Sequence, residues 1–120
     1  MVYIKNSGMK AWSVEDQPRE KYLRLGGQKL TDAELLAIVL GNGSVGQSAL
    51  SLAKTLLIAC DNDLQKLFEL SIEKLMDFKG VGKVKAIKIK ASLDFGYRLL
   101  HVNATAPPYL FLLVDLHSLF

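Results

Sequence analysis

Leu75-Met76-Asp77-Phe78-Lys79-Gly80-Val81-Gly82-Lys83-Val84-Lys85-Ala86-Ile87 is the stretch whose reading decides the fold. It reads as the end of a short helix, a Gly-x-Gly hairpin and the start of a second helix. Gly80 and Gly82 have no side chain to block a backbone approach, and glycine enters φ > 0 readily. Val81, between them, is placed to turn inward and pin the hairpin. The amides left free open onto a helix N-terminus, where unpaired N–H groups and the helix dipole attract anions. Lys83 and Lys85 stand in the first turn of that helix. Cations there oppose the dipole, so helix stability explains them poorly, and an external anion resolves the conflict.

Outward from the hairpin, the pattern stays helical. The last helix is expected from about Lys83 to Leu100, with Val84, Ile87, Ala91 and Phe95 as its apolar face, widened by Ile89 and Leu93. Upstream, Ser71 caps a short helix, Ile72 to Asp77. Another, Leu64 to Glu69, follows the turn-and-cap cluster Asp61-Asn62-Asp63. Gly46 to Ala59 reads as a helix with a broad face of Leu50, Leu52, Ala53, Leu56 and Leu57. Thr31 and Glu34 form a capping box that opens Asp32 to Leu40, a run too dense in apolar residues to be exposed. Pro18 to Leu25 is a short helix with proline in its first turn and Gly26-Gly27 at its end.

No alternating strand pattern occurs before residue 108. The expectation is an all-α body: a compact bundle of five or six short helices with short connections. Residues 1–17 read as an N-terminal arm, 18–100 as the helical domain and 101–120 as a linker with an apolar C-terminal segment. Asn103 to Pro108 has linker character. Tyr109 to Val114 is apolar and reads equally as a buried strand or as helix; it is expected to dock rather than hang free.

The body also contains a weak repeat. Glu34 to Lys54 aligns with Glu73 to Lys90, each reading helix, glycine-bearing loop, helix. The first copy carries Gly41-Asn42-Gly43-Ser44-Val45-Gly46 where the second has Gly80-Val81-Gly82, and it lacks the lysines. It is expected to complete the core rather than to bind.

Composition narrows the classes. The chain has 120 residues, half of them hydrophobic and 22% charged, which fits one globular domain and excludes general disorder. Cys60 is the only cysteine, so an intramolecular disulfide and a multi-cysteine zinc site are both excluded. No secretory signal or membrane-length apolar run is present, and a cytoplasmic protein without membrane association is expected. The formal charge is only +3, but its placement is uneven. Residues 79–98 hold six basic side chains (Lys79, Lys83, Lys85, Lys88, Lys90 and Arg98) against Asp94 alone. A near-neutral body with one basic segment has the form of a local anion-binding face.

The hairpin resembles the helix-hairpin-helix motif. That resemblance implies sequence-independent binding of the DNA sugar-phosphate backbone through hairpin amides, often with a monovalent cation held by hairpin carbonyls. It assigns Gly80 and Gly82 to the amide-donating hairpin, Val81 to its buried position, and Lys83 and Lys85 to the phosphates. Lys79 and Lys88 would add longer-range attraction. With Pro18-Arg19-Glu20-Lys21 and Leu30-Thr31-Asp32-Ala33-Glu34-Leu35-Leu36-Ala37-Ile38 included, the chain resembles the N-terminal domain of RadC-type (UPF0758) DNA repair proteins over roughly residues 8–100. Two helix-hairpin-helix-like units in tandem suit that resemblance. In the family, a metal-binding domain of the JAB/MPN type follows, with a His-x-His and acidic pattern. Here His101 and His117 are the only histidines and form no such pattern.

Other reactive residues read as structural. Asp61 and Asp63 suit a turn and cap. Ser44, Ser48, Ser51 and Ser71 lack a motif partner. Cys60 reads as a small buried hydrophobe. Gly41 to Ser48 has no Walker lysine. Trp12 and Tyr22 are aromatic candidates for base stacking, with packing as the simpler role. The sequence therefore points to a non-enzymatic, cytoplasmic DNA-binding domain with no metal site, plausible in repair. Two alternatives stand beside it. One is a protein-interaction module using Tyr109, Leu110 and Phe111. The other is a truncated product whose missing domain carried the activity.

Overall fold

A computed structural model describes residues 17–102. The arm up to Asp16, Trp12, the linker from Asn103, the Tyr109–Phe120 segment and His117 lie outside the described residues. Six α-helices follow one another: α1 (Pro18–Leu25), α2 (Asp32–Leu40), α3 (Ala49–Ala59), α4 (Leu64–Glu69), α5 (Ile72–Met76) and α6 (Lys83–Val102). A single 3₁₀ turn, Gly27–Lys29, joins α1 to α2. Among the described residues there is no strand, only one isolated bridge between Ser44 and Gln47. The all-α expectation holds.

Local chemistry sets most of the boundaries. Pro18 occupies the first turn of α1, and Gly26, at φ 85°, ends it by donating its N–H to the Tyr22 carbonyl at 2.7 Å. The capping box is complete. The Glu34 amide donates to Thr31 Oγ1 at 3.2 Å, and the Thr31 amide donates to Glu34 Oε1 at 2.8 Å. Ser48, Asp63 and Ser71 cap α3, α4 and α5 through their side-chain oxygens. Asp61 and Asn62, both with positive φ, make the tight turn between α3 and α4. Their short polar side chains tolerate that conformation.

The core is built on α3, whose Leu52, Ala53, Leu56 and Leu57 are buried. Leu40 from α2, Leu75 from α5 and Ile89 from α6 join it, each fully enclosed. Cys60 is buried at the end of α3 as a free thiol, as expected of a small hydrophobe.

Two expectations need correction. First, α3 begins at Ala49, not Gly46. Ser44 and Gln47 exchange backbone hydrogen bonds, both 3.0 Å, and close a separate turn before the helix. A Cβ on Gly43 would fall 1.9 Å from the Gln47 carbonyl oxygen, so this turn requires glycine at 43. Second, of the apolar face expected for α6, Val84, Ile87, Ala91 and Phe95 are exposed; Ile89 is buried and Leu93 half-buried as expected, and the residue that joins them inside is Ala86. Both sets have helical spacing. The choice between them is made by the hairpin, which fixes the rotation of α6 by sending Val81 into the core. The helix also runs two residues past Leu100.

Candidate nucleic-acid interface

The hairpin sits between α5 and α6. Its closing bond runs from the Val81 amide to the Phe78 carbonyl, 3.0 Å. Val81 is 4% exposed and belongs to the core, the position expected of it. Burial of Val81 leaves the neighbouring backbone outward. The amides of Gly80, Gly82, Lys83, Val84 and Lys85 donate to no backbone carbonyl. They form a cluster of free donors at the N-terminal end of a 20-residue helix, whose first internal bond runs from the Ala86 amide to the Gly82 carbonyl. The carbonyls of Lys79 and Gly80 also accept no backbone hydrogen bond. Their oxygens suit a monovalent cation, which prefers hard oxygen donors.

The two glycines differ. Gly80 has φ 92°, a conformation that disfavours any side chain, and a Cβ there would approach Ser44 Oγ to 2.8 Å. Gly82 has no positive φ, and a Cβ on it would meet nothing within 4 Å. Only the first is demanded by backbone conformation. The second keeps the surface above the amides clear.

The lysines separate in the same way. Lys79 and Lys83 are exposed and have no hydrogen-bond or ion-pair partner among the described residues. Lys85 is half-buried and donates from Nζ to Asn42 Oδ1 at 3.0 Å. Lys88 places its Nζ 3.5 Å from where a Cβ on Gly41 would stand. Gly41 caps the C-terminal end of α2, where the helix dipole is negative and α2 has no basic residue of its own. Lys85 thus ties α6 to the first loop, and Lys88 reaches the same loop without a hydrogen bond to it. Lys90 turns away from this face: its Nζ donates to the Phe68 carbonyl at 2.5 Å and lies over the Phe68 ring.

Asn42 and Ser44 were not singled out by sequence as neighbours of the hairpin. The two glycine loops lie against each other through the Lys85–Asn42 bond and the Ser44–Gly80 approach. The repeat was the only available signal for this, since it places equivalent loops at the same end of two packed units.

Other titratable groups have structural explanations. Asp61 forms an exposed ion pair with Lys66 at 2.6 Å, and the hydrogen bond holds the carboxyl below its ordinary value and the ammonium above its own. Burial raises the Cys60 thiol, with Asp61 adding to it, so the group is a poor thiolate. His101 lies edge-on to Tyr97, 4.1 Å between centroids. Among the described residues no three His, Cys, Asp or Glu side chains are grouped to hold a metal. Among them, too, no helix is long and apolar enough to cross a membrane.

The fold and the hairpin define an all-α domain made of two helix, glycine-loop, helix units. Residues 9–87 match the profile of the UPF0758 N-terminal domain, and the chain belongs to the UPF0758 family. It is 43% identical over 90 residues to a UPF0758 protein of Flavobacterium johnsoniae, covering 75% of this chain and 39% of that one. It is 40% identical over 97 residues to one from Trichlorobacter lovleyi, covering 79% and 42%. With the Aquifex aeolicus protein it shares 44% identity over 84 residues, covering 70% and 35%. The chain thus matches about two-fifths of the length of these curated relatives. No solved structure matches it.

Proposed function

We propose that this domain binds DNA through the sugar-phosphate backbone, without reading sequence and without catalysing a reaction. The observation that carries the reading is the cluster of unpaired amides at Gly80, Gly82 and Lys83, flanked by the partner-free cations Lys79 and Lys83. A phosphate suits that cluster in charge and in hydrogen-bonding capacity. Lys85 contributes from its position beside Asn42, and Lys88 raises the local potential. Phosphate contacts position a protein on a duplex but carry no sequence information. A monovalent cation at the Lys79 and Gly80 carbonyls would supply a further positive charge toward the phosphate. A role in DNA repair is the corresponding cellular proposal.

The test is a fluorescence-anisotropy titration of labelled duplex, single-stranded and branched DNA at several salt concentrations. Three to four phosphate contacts give a log–log slope of about −3 to −4 on duplex DNA. The Gly82→Asp, Lys83→Glu double variant is expected to lose that binding and keep its circular dichroism, since position 82 has open space around it. A slope near zero, or unchanged affinity in the folded variant, overturns the proposal.

A second reading is favoured by one observation. Val84, Ile87 and Phe95 present an apolar stripe on α6, opposite its buried face, with Phe95 78% exposed. Such a stripe suits a protein partner or a further domain. Charge substitutions on it would then abolish the interaction while leaving the hairpin's binding intact.

A further inference from the structure

On the outer side of α6, Ala91, Ser92, Asp94, Phe95 and Arg98 line a shallow recess. Four of them, Ala91, Asp94, Phe95 and Arg98, stand at i, i+3, i+4 and i+7. That spacing forms the hole into which a facing helix inserts a side chain. Ala91 keeps the floor of the recess low. Phe95 walls it and, being largely exposed, leaves about 150 Å² of apolar surface to be covered. Val84 and Ile87 continue the same stripe toward the hairpin, and each is about half exposed or more. Asp94 and Arg98 are exposed and have no hydrogen-bond or ion-pair partner among the described residues.

We infer that this face pairs with the same face of a second copy of the chain, the two α6 helices lying antiparallel with Ala91 at the two-fold axis. A two-fold interface is self-complementary: one face must offer both the inserting side chain and the recess that receives it. The outer face of α6 offers both. Ile87 lies four residues before Ala91, and the middle of the recess, between Asp94 and Phe95, lies three to four after it. An antiparallel pair centred on Ala91 therefore sets Ile87 of each copy into the recess of the other, with Val84 level with the aliphatic stem of Arg98. The small Ala91 side chain lets the two backbones approach where they cross. Charge fixes the direction of pairing. From Lys83 to Lys90 the helix holds four lysines and no acid, and its one acid, Asp94, lies in the other half. Antiparallel pairing puts Asp94 of each copy level with Lys88 of the other and opposes the helix dipoles favourably, whereas parallel pairing stacks lysine on lysine.

The test is sedimentation equilibrium of the full chain from micromolar to millimolar concentration, joined to cysteine cross-linking. The mass is expected to rise with concentration toward that of two chains. Ile87→Asp should hold it at one chain with unchanged circular dichroism, since the side chain lies outside the core. Ala91→Cys should form a disulfide-linked dimer under mild oxidation, because the introduced thiol is exposed and Cys60 is buried. Val84→Cys should not: in an antiparallel pair centred on Ala91 its two copies stand about 21 Å apart along the helices, and a disulfide needs them within about 7 Å. A one-chain mass at every concentration overturns the inference and leaves the stripe to another part of the chain or to a different protein. A dimer that survives Ile87→Asp overturns it as well. So does cross-linking at position 84, which would show a parallel pair.

Discussion

Gly80 and Gly82 look interchangeable in sequence but are held by different physics. Gly80 is fixed by its φ of 92° and by Ser44 beside it. Gly80→Ala is therefore expected to cost about 1–3 kcal/mol, the usual penalty for a side chain in a disfavoured backbone region. Gly82→Ala is expected to stay within about 0.5 kcal/mol, as for a surface site away from special features. Urea unfolding of the two variants checks the contrast, and equal losses would refute it. The lysines divide similarly. If the proposed DNA binding holds, Lys83→Ala should weaken it without changing the unfolding midpoint, because the side chain has no partner to lose among the described residues. Lys85→Ala should alter both, because it also breaks the Asn42 bond. Residue type and spacing were enough to nominate both lysines. They carry no record of Asn42, forty-three positions away, so the difference between them was not legible.

At the scale of elements, the capping rules account for the boundaries because they are local. The boxes and caps on α2, α4 and α5 each need only a side-chain oxygen and an amide two or three residues on. Thr31→Ala should lower stability by about 1 kcal/mol, measured by chemical denaturation. Glu34 adds a pH dependence. The hydrogen bond from Lys21, at 2.8 Å, and then the Thr31 amide hold its carboxyl below the ordinary glutamate value. A depressed carboxylate contributes stability that is complete above its unfolded pKa and lost as pH falls through the folded one. The stability gap between the wild type and Glu34→Gln should therefore be full at neutral pH and shrink on the acid side of about pH 4. A gap that is constant down to that range would refute the role of the Lys21 contact. The face of α6 was misjudged because Val84-Ile87-Ala91-Phe95 and Ala86-Ile89-Leu93 satisfy the same period. Periodicity shows that a helix has an apolar face, but it does not choose between two.

Across the whole molecule, the two units share one core. Leu52 and Leu56 from the first unit, and Leu75 and Ile89 from the second, are all fully enclosed. Leu56→Ala should destabilise the domain by about 2–5 kcal/mol and unfold both units in one transition. Two separate transitions in calorimetry would show that the units are independent. The shared core also explains why the glycine loops meet. Packing two helix–loop–helix units together brings Asn42 and Ser44 to the hairpin, and with them the internal partner of Lys85.

By itself the sequence determined the helical class, the positions of α1, α2 and α4, the hairpin and its buried valine, because each depends on contacts a few residues apart. It also determined the family, through motifs spread over most of the chain. Only the tertiary structure decided which face of α6 is buried, where α3 begins and which lysines remain free. Those outcomes depend on rotation and contact between distant segments. A backbone hydrogen bond between neighbours is written in local residue types, whereas the docking of one helix on another is settled by how all the side chains fill the same space.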